Sequence, residues 1–169
     1  MGAFGNILKI NHSPPVLPAV PLDEVSIPEI LEFIAYWESL KADAFAPSWK
    51  DFDLAAIDPA SLPYVVVADV QREPLNFKIR FWGTGHVTRK GADKTGKFLN
   101  EAPDFRGQTA FDEYCWVMNE KEPLASQDLV NLQEFGGMLP FEQILVRLPL
   151  SDDGETVNHI VTLAVWDKV

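Results

Sequence analysis

The order in which strand-forming segments occur constrains this chain more than any other feature. Two come as a pair, three come together at the end, and a helical stretch divides them. Tyr64 to Val70 is β-branched and apolar, Gln71 to Leu75 carries Pro74 and reads as a reversal, and Asn76 to Trp82 alternates. That alternation predicts Phe77, Ile79 and Phe81 on one face, with Lys78, Arg80 and Trp82 on the other. Gly83, Gly85, Gly91 and Gly96 then break the chain, leaving room for short helices at Val87 to Lys90 and Phe98 to Ala102. A longer helix is predicted from Arg106 to Lys121. Phe111, Tyr114, Cys115 and Met118 recur along it at i, i+3, i+4 and i+7, and Pro123 stops it. Three strands follow, at Leu124 to Leu132, Phe141 to Leu150 and Thr156 to Trp166, separated by Gly136-Gly137 and Asp152-Asp153-Gly154. The class is α+β, with the first two strands joined by a tight reversal.

Upstream of the strands the character differs. Residues 1–25 hold Pro14, Pro15, Pro18 and Pro21, which exclude a helix and predict an extended arm. Residues 26–63 form a helical extension, and 64–169 the core. Ser26-Ile27-Pro28-Glu29 fits a capping box, and the helix is expected to end near Ala42. Ile30, Phe33, Ile34, Trp37 and Leu40 make one apolar stripe along it, suited either to core packing or to a second copy of the chain. Phe141 to Leu150 and Ile160 to Trp166 are apolar in both registers, so both faces of the sheet need a cover.

Composition narrows the function. A net charge of −11 disfavours nucleic acid, and no apolar run is long enough to cross a bilayer. The single cysteine, Cys115, permits no internal disulfide, and with no signal peptide at the N-terminus the expected compartment is cytoplasmic. One segment opposes the charge trend: Lys78, Arg80, Arg89, Lys90, Lys94 and Lys97 face only Asp93 between positions 78 and 97. Such a cluster reads either as a solvated face or as a contact for an anion or an acidic partner. No nucleophile elbow, phosphate loop, dinucleotide fingerprint or metal-ligand spacing occurs. Asp152-Asp153-Gly154-Glu155 reads as a turn. Asp69 and His86 are the pair nearest to an acid–base set, though their spacing does not demand one.

The element order resembles that of the PAS family, and three stretches carry the likeness. Tyr64-Val65-Val66-Val67-Ala68-Asp69-Val70 resembles the first PAS strand, and Gly91 to Leu99, with Gly96-Lys97-Phe98-Leu99, the segment that opens a PAS helix. Arg147-Leu148-Pro149-Leu150-Ser151-Asp152-Asp153-Gly154-Glu155-Thr156-Val157 resembles the closing hairpin. With Tyr36-Trp37, Gly83-Thr84 and Thr95-Gly96, the chain is similar to small stand-alone bacterial PAS proteins that carry an N-terminal helical extension.

The resemblance implies a five-stranded antiparallel sheet in the order 2-1-5-4-3, with the short helices and the long one on one face. It also implies a chamber beneath the long helix, lined by Phe111, Tyr114, Cys115 and Met118 with Trp82 and Phe98 opposite. The long helix lacks the histidine that haem-binding PAS domains use, and Cys115 lies outside the sequence of flavin photosensors, so no cofactor and no metal is expected. The expected role is a non-catalytic sensor or adaptor in bacterial signalling that contacts another signalling protein in trans, because the chain stops at Val169, three residues after the last strand. A small apolar ligand and a homodimer remain open. The alternative is a small enzyme or binding protein with the nuclear-transport-factor-like cone fold, which strand order separates from PAS.

Overall fold

The computed structural model describes residues 17–101, 107–130 and 141–166. The described strands are β1 (Ala19–Val20), β2 (Val65–Arg72), β3 (Leu75–Trp82), β4 (Leu124–Val130), β5 (Phe141–Leu150) and β6 (His159–Trp166). The helices are α1 (Pro28–Lys41), α2 (Thr84–Lys90) and α3 (Gly107–Glu120). All strands join one antiparallel sheet in the order β1-β4-β5-β6-β2-β3. Without β1 this is the expected 2-1-5-4-3 order, with the first and last core strands adjacent at the centre. The cone-fold alternative loses its support on that point. The sixth strand is a correction. The arm was expected to be merely extended, but Ala19 and Val20 pair with Ser126 and Ala125, and the Gln127 amide donates to the Pro18 carbonyl. An exposed strand edge offers a row of unpaired amides and carbonyls, and the arm caps part of it.

α1 covers the outer face. Pro28 sits at its first position, where the missing N–H costs nothing, so the cap falls on Ile27 and no side chain caps the helix. Ser26 is thereby one residue too early, and the expected capping box does not form. Ile30, Phe33 and Trp37 are buried against Val65, Val67, Val146, Leu148, Val161 and Leu163, with Ile34 and Leu40 packed at the margin. Trp37 Nε1 donates to the Pro149 carbonyl at 2.8 Å. The proposed dimer face is therefore committed to the chain's own core. A strap of residues 46–53 crosses the same face, burying Ala46 and Phe52.

The inner face lies under α2, α3 and a 3-10 turn at Leu99–Glu101. Its core holds Val66, Ala68, Phe77, Ile79, Tyr114, Val117 and Ile160. The alternation expected of β3 breaks here. A β-bulge opposite Val67 and Ala68 shifts the register, so Trp82 joins Phe77 and Ile79 on the inner face while Phe81 packs with the outer core. Beyond β3, the Gly83 amide donates to the Val65 carbonyl, and a Cβ at Gly83 would lie 2.1 Å from the Pro63 carbonyl oxygen. Only glycine fits that crossing.

Candidate functional site

The chamber between α3 and the sheet is the place where the fold would hold a ligand. Of the residues expected to line it, Trp82 and Tyr114 do so. Phe111 stacks edge-on against Phe77 at 5.4 Å, and Cys115 and Met118 pack at the flank of the inner core. Phe98 is placed elsewhere: it bridges to Lys78 at the β3 edge. The chamber encloses only about 50 Å³. Ligand pockets run from roughly 300 to 1,000 Å³, so this one has space for water and little else.

The chamber is also more polar than expected. The α3 stripe is rotated by one position from the predicted one, so that Glu113, Tyr114 and Val117 are its fully buried residues. Glu113 Oε2 accepts from Arg147 Nε at 2.7 Å, and Arg147 Nη1 donates to Thr162 Oγ1 at 3.0 Å. The guanidinium lies 4.5 Å from the centre of the Tyr114 ring. The two side chains are 5% and 0% exposed. Burial would push the Arg147 pKa down, but the Glu113 carboxylate outweighs it and holds the arginine charged. Gln143, four residues earlier on β5, is 1% exposed, and its Oε1 accepts from Trp166 Nε1 at 2.8 Å. The sequence carried a signal for this set. Beyond Glu142 at its start, Gln143 and Arg147 are the polar residues of the strand, four apart and hence on one face.

A second polar cluster fastens the outer face. His159 Nδ1 contacts Asp69 Oδ1 and Nε2 contacts Asp152 Oδ2, both at 2.7 Å. Arg80 Nε donates to Asp69 Oδ1 at 2.8 Å, and the Trp49 amide of the strap donates to Asp152 Oδ1 at 3.0 Å. Burial pushes the Asp69 and Asp152 carboxyls up, but these donors outweigh it and hold both below the usual range. Asp69 thus pairs with His159. His86 lies on α2, with Nε2 2.9 Å from the Tyr64 carbonyl oxygen. Cross-strand register places Asp69 opposite His159, a relation invisible at a separation of ninety residues.

The basic segment does not form one surface. Arg80 engages Asp69 on the outer side, Lys94 lies 5.2 Å over the Trp82 ring at the chamber, and Arg89 lies 4.1 Å over Phe141 and 5.0 Å over Trp166. Lys78 and Lys97 are exposed at the β3 edge. The Lys90 side chain falls outside the described residues. The bulge and the glycine breaks send neighbours in sequence to different sides of the sheet. A larger cavity lies elsewhere again. It is a groove of about 550 Å³ between the start of α1, the Ser61–Tyr64 turn, α2 and the end of β6, lined by Glu29, Tyr64, Arg89 and Trp166.

Helices roofing one face of an antiparallel sheet whose central strands are the first and last of the core define the architecture. The fold is a PAS fold. No protein-family model matches the chain, and no curated protein matches it. Among solved structures it is similar to the light state of the blue-light photoreceptor aureochrome1 LOV, at 17% identity and a TM-score of 0.42, over 61% of this chain and 80% of that one. It is likewise similar to a fungal LOV domain photoreceptor, at 16% identity and a TM-score of 0.41, over 68% and 79%. No described helix is long and apolar enough to cross a membrane.

Proposed function

We propose that this PAS domain is a non-catalytic sensory or adaptor module that works by contact with a partner protein in the bacterial cytoplasm. The observation that carries this reading is the closed chamber. Its space is taken by Tyr114, Trp82 and the Glu113–Arg147 pair, leaving about 50 Å³. A module whose ligand chamber is filled by its own side chains has its outer surfaces left for recognition. The 550 Å³ groove beside α1 and α2 is the concave part of that surface, with Glu29 and Arg89 at its walls and aromatic rings beside them. Grooves of mixed charge and exposed aromatic surface suit protein contact.

Chemical crosslinking in source cells, followed by capture of the chain and quantitative mass spectrometry, tests the reading. The expected result is one enriched partner whose crosslinks map to the groove. Substituting Ala60 at the groove wall by Trp should abolish the enrichment without changing the melting temperature. Turnover of a small molecule by the pure chain, or the same partner recovered with the groove filled, would contradict it.

A further inference from the structure

We propose that residues 46–53 form a strap that a rise in pH releases from the outer face of the sheet, with protonated His159 as its fastening. This goes beyond the adaptor reading and does not depend on it. His159 has a carboxylate oxygen 2.7 Å from each ring nitrogen. An ionised carboxylate only accepts hydrogen bonds, so both ring nitrogens must donate, and only the imidazolium carries two N–H groups. A neutral ring leaves one carboxylate facing a lone pair. Asp69 has a second donor in Arg80, whereas the other oxygen of Asp152 holds the Trp49 amide of the strap. The charge on His159 therefore reaches the strap through one carboxylate.

The strap has few other ties at this end. The Ser151 amide donates to the Pro47 carbonyl at 2.9 Å, next to the same clasp. The Trp49 ring lies 5.7 Å from the His159 ring, and the Arg80 guanidinium lies 5.5 Å over Trp49. The charged groups around His159 are Asp69 on β2, Arg80 and Lys78 on β3, and Asp152 with its neighbour Asp153 on the turn before β6.

The direction of the pH effect follows from those groups. Burial would push His159 down, but its bonds to Asp69 and Asp152 outweigh this and hold it above the ordinary imidazole value. A group raised on folding contributes its full stabilisation below its unfolded pKa, about 6.5 here, and loses it as pH climbs through the folded value. Asp69 and Asp152 are held low and stay ionised over that range. The strap is thus fastened in mild acid and loosens at its Trp49 end toward alkaline pH, while the Tyr36 hydroxyl keeps its bonds to both backbone groups of Asp53.

Amide exchange followed by NMR tests the proposal on the whole chain, with rates corrected for base catalysis between pH 6 and 9.5. Protection of the Trp49 and Ser151 amides should fall about tenfold for each unit by which folding raises His159, while the β5 and β6 amides keep theirs. The midpoint should coincide with the titration of the His159 ring. His159→Gln should show low strap protection at every pH. Asp152→Asn, which retains an acceptor for Trp49, should move the midpoint to lower pH, and it carries the test if the glutamine variant fails to fold. Strap protection that is flat with pH, a midpoint that ignores the ring, or an Asp152→Asn variant that titrates like the native chain would each overturn the proposal.

Discussion

The two faces of the sheet are built from the same strands and solve burial in opposite ways. Under α1 the contact is largely apolar, Ile30, Phe33 and Trp37 on Val65, Val67, Val161 and Leu163, with one buried bond from Trp37 to the Pro149 carbonyl and the charged fastening kept to the rim at His159. Under α3 a full ion pair sits at the centre of the contact, Glu113 on Arg147, with Thr162 and Gln143 around it. An apolar interface tolerates modest sliding, because hydrophobic burial has no direction. A buried pair with 2.7 Å geometry permits one seating of α3 and penalises others. The outer face therefore holds the domain together, and the inner face sets where its long helix rests.

The largest expected effect comes from breaking the inner pair on one side. Glu113→Leu leaves Arg147 charged and buried, and should cost about 3–5 kcal/mol in urea unfolding. The double variant with Arg147→Met should recover most of that loss. A single variant as stable as the native chain would remove the distinction between the faces. Trp37→Ala on the outer face should cost about 3–5 kcal/mol through lost packing, and also forfeits the bond to Pro149. Here no second substitution should rescue it, and sedimentation should show the same association state as the native chain. Gly83→Ala should cost about 1–3 kcal/mol, because the new Cβ meets the Pro63 carbonyl. That loss should be independent of both faces and additive with either. Smallest is the acid limb of the rim. Asp69 and Asp152 are held low, so their stabilisation persists above pH 4 or thereabouts and is lost as pH falls through their folded values. Asp152→Asn should flatten part of that limb in a pH series of melting temperatures.

These two faces were unequally legible in the sequence. The apolar stripe of α1, the hairpin at Asp153-Gly154, and the bounds of β5 follow from local pattern, because each is decided by neighbours a few residues away. Periodicity also located α3 but misjudged its phase, since Phe111 and Met118 attract notice while Glu113 looks like a solvent residue. Only a partner thirty-four residues downstream makes its burial tolerable. The bulge in β3 failed for a similar reason. Alternation through Phe77, Ile79 and Phe81 is a local rule, and the extra residue is imposed by pairing with β2. The clasp was missed because Asp69, His159 and Asp152 meet through sheet register. A lone histidine beside a hairpin gives no local sign of two carboxylates, although acidic residues flanking a strand start were visible at Asp152 and Asp153.

The central claim is that the chamber under α3 is closed by the chain's own side chains. Native mass spectrometry of the chain freshly purified from its source cell measures this most directly. The native chain should show its bare mass of 18.9 kDa, and replacing Leu145 at the chamber wall by Trp should add only the difference between the two side chains. A stoichiometric small-molecule adduct on the native chain that the Leu145→Trp variant fails to retain would contradict it.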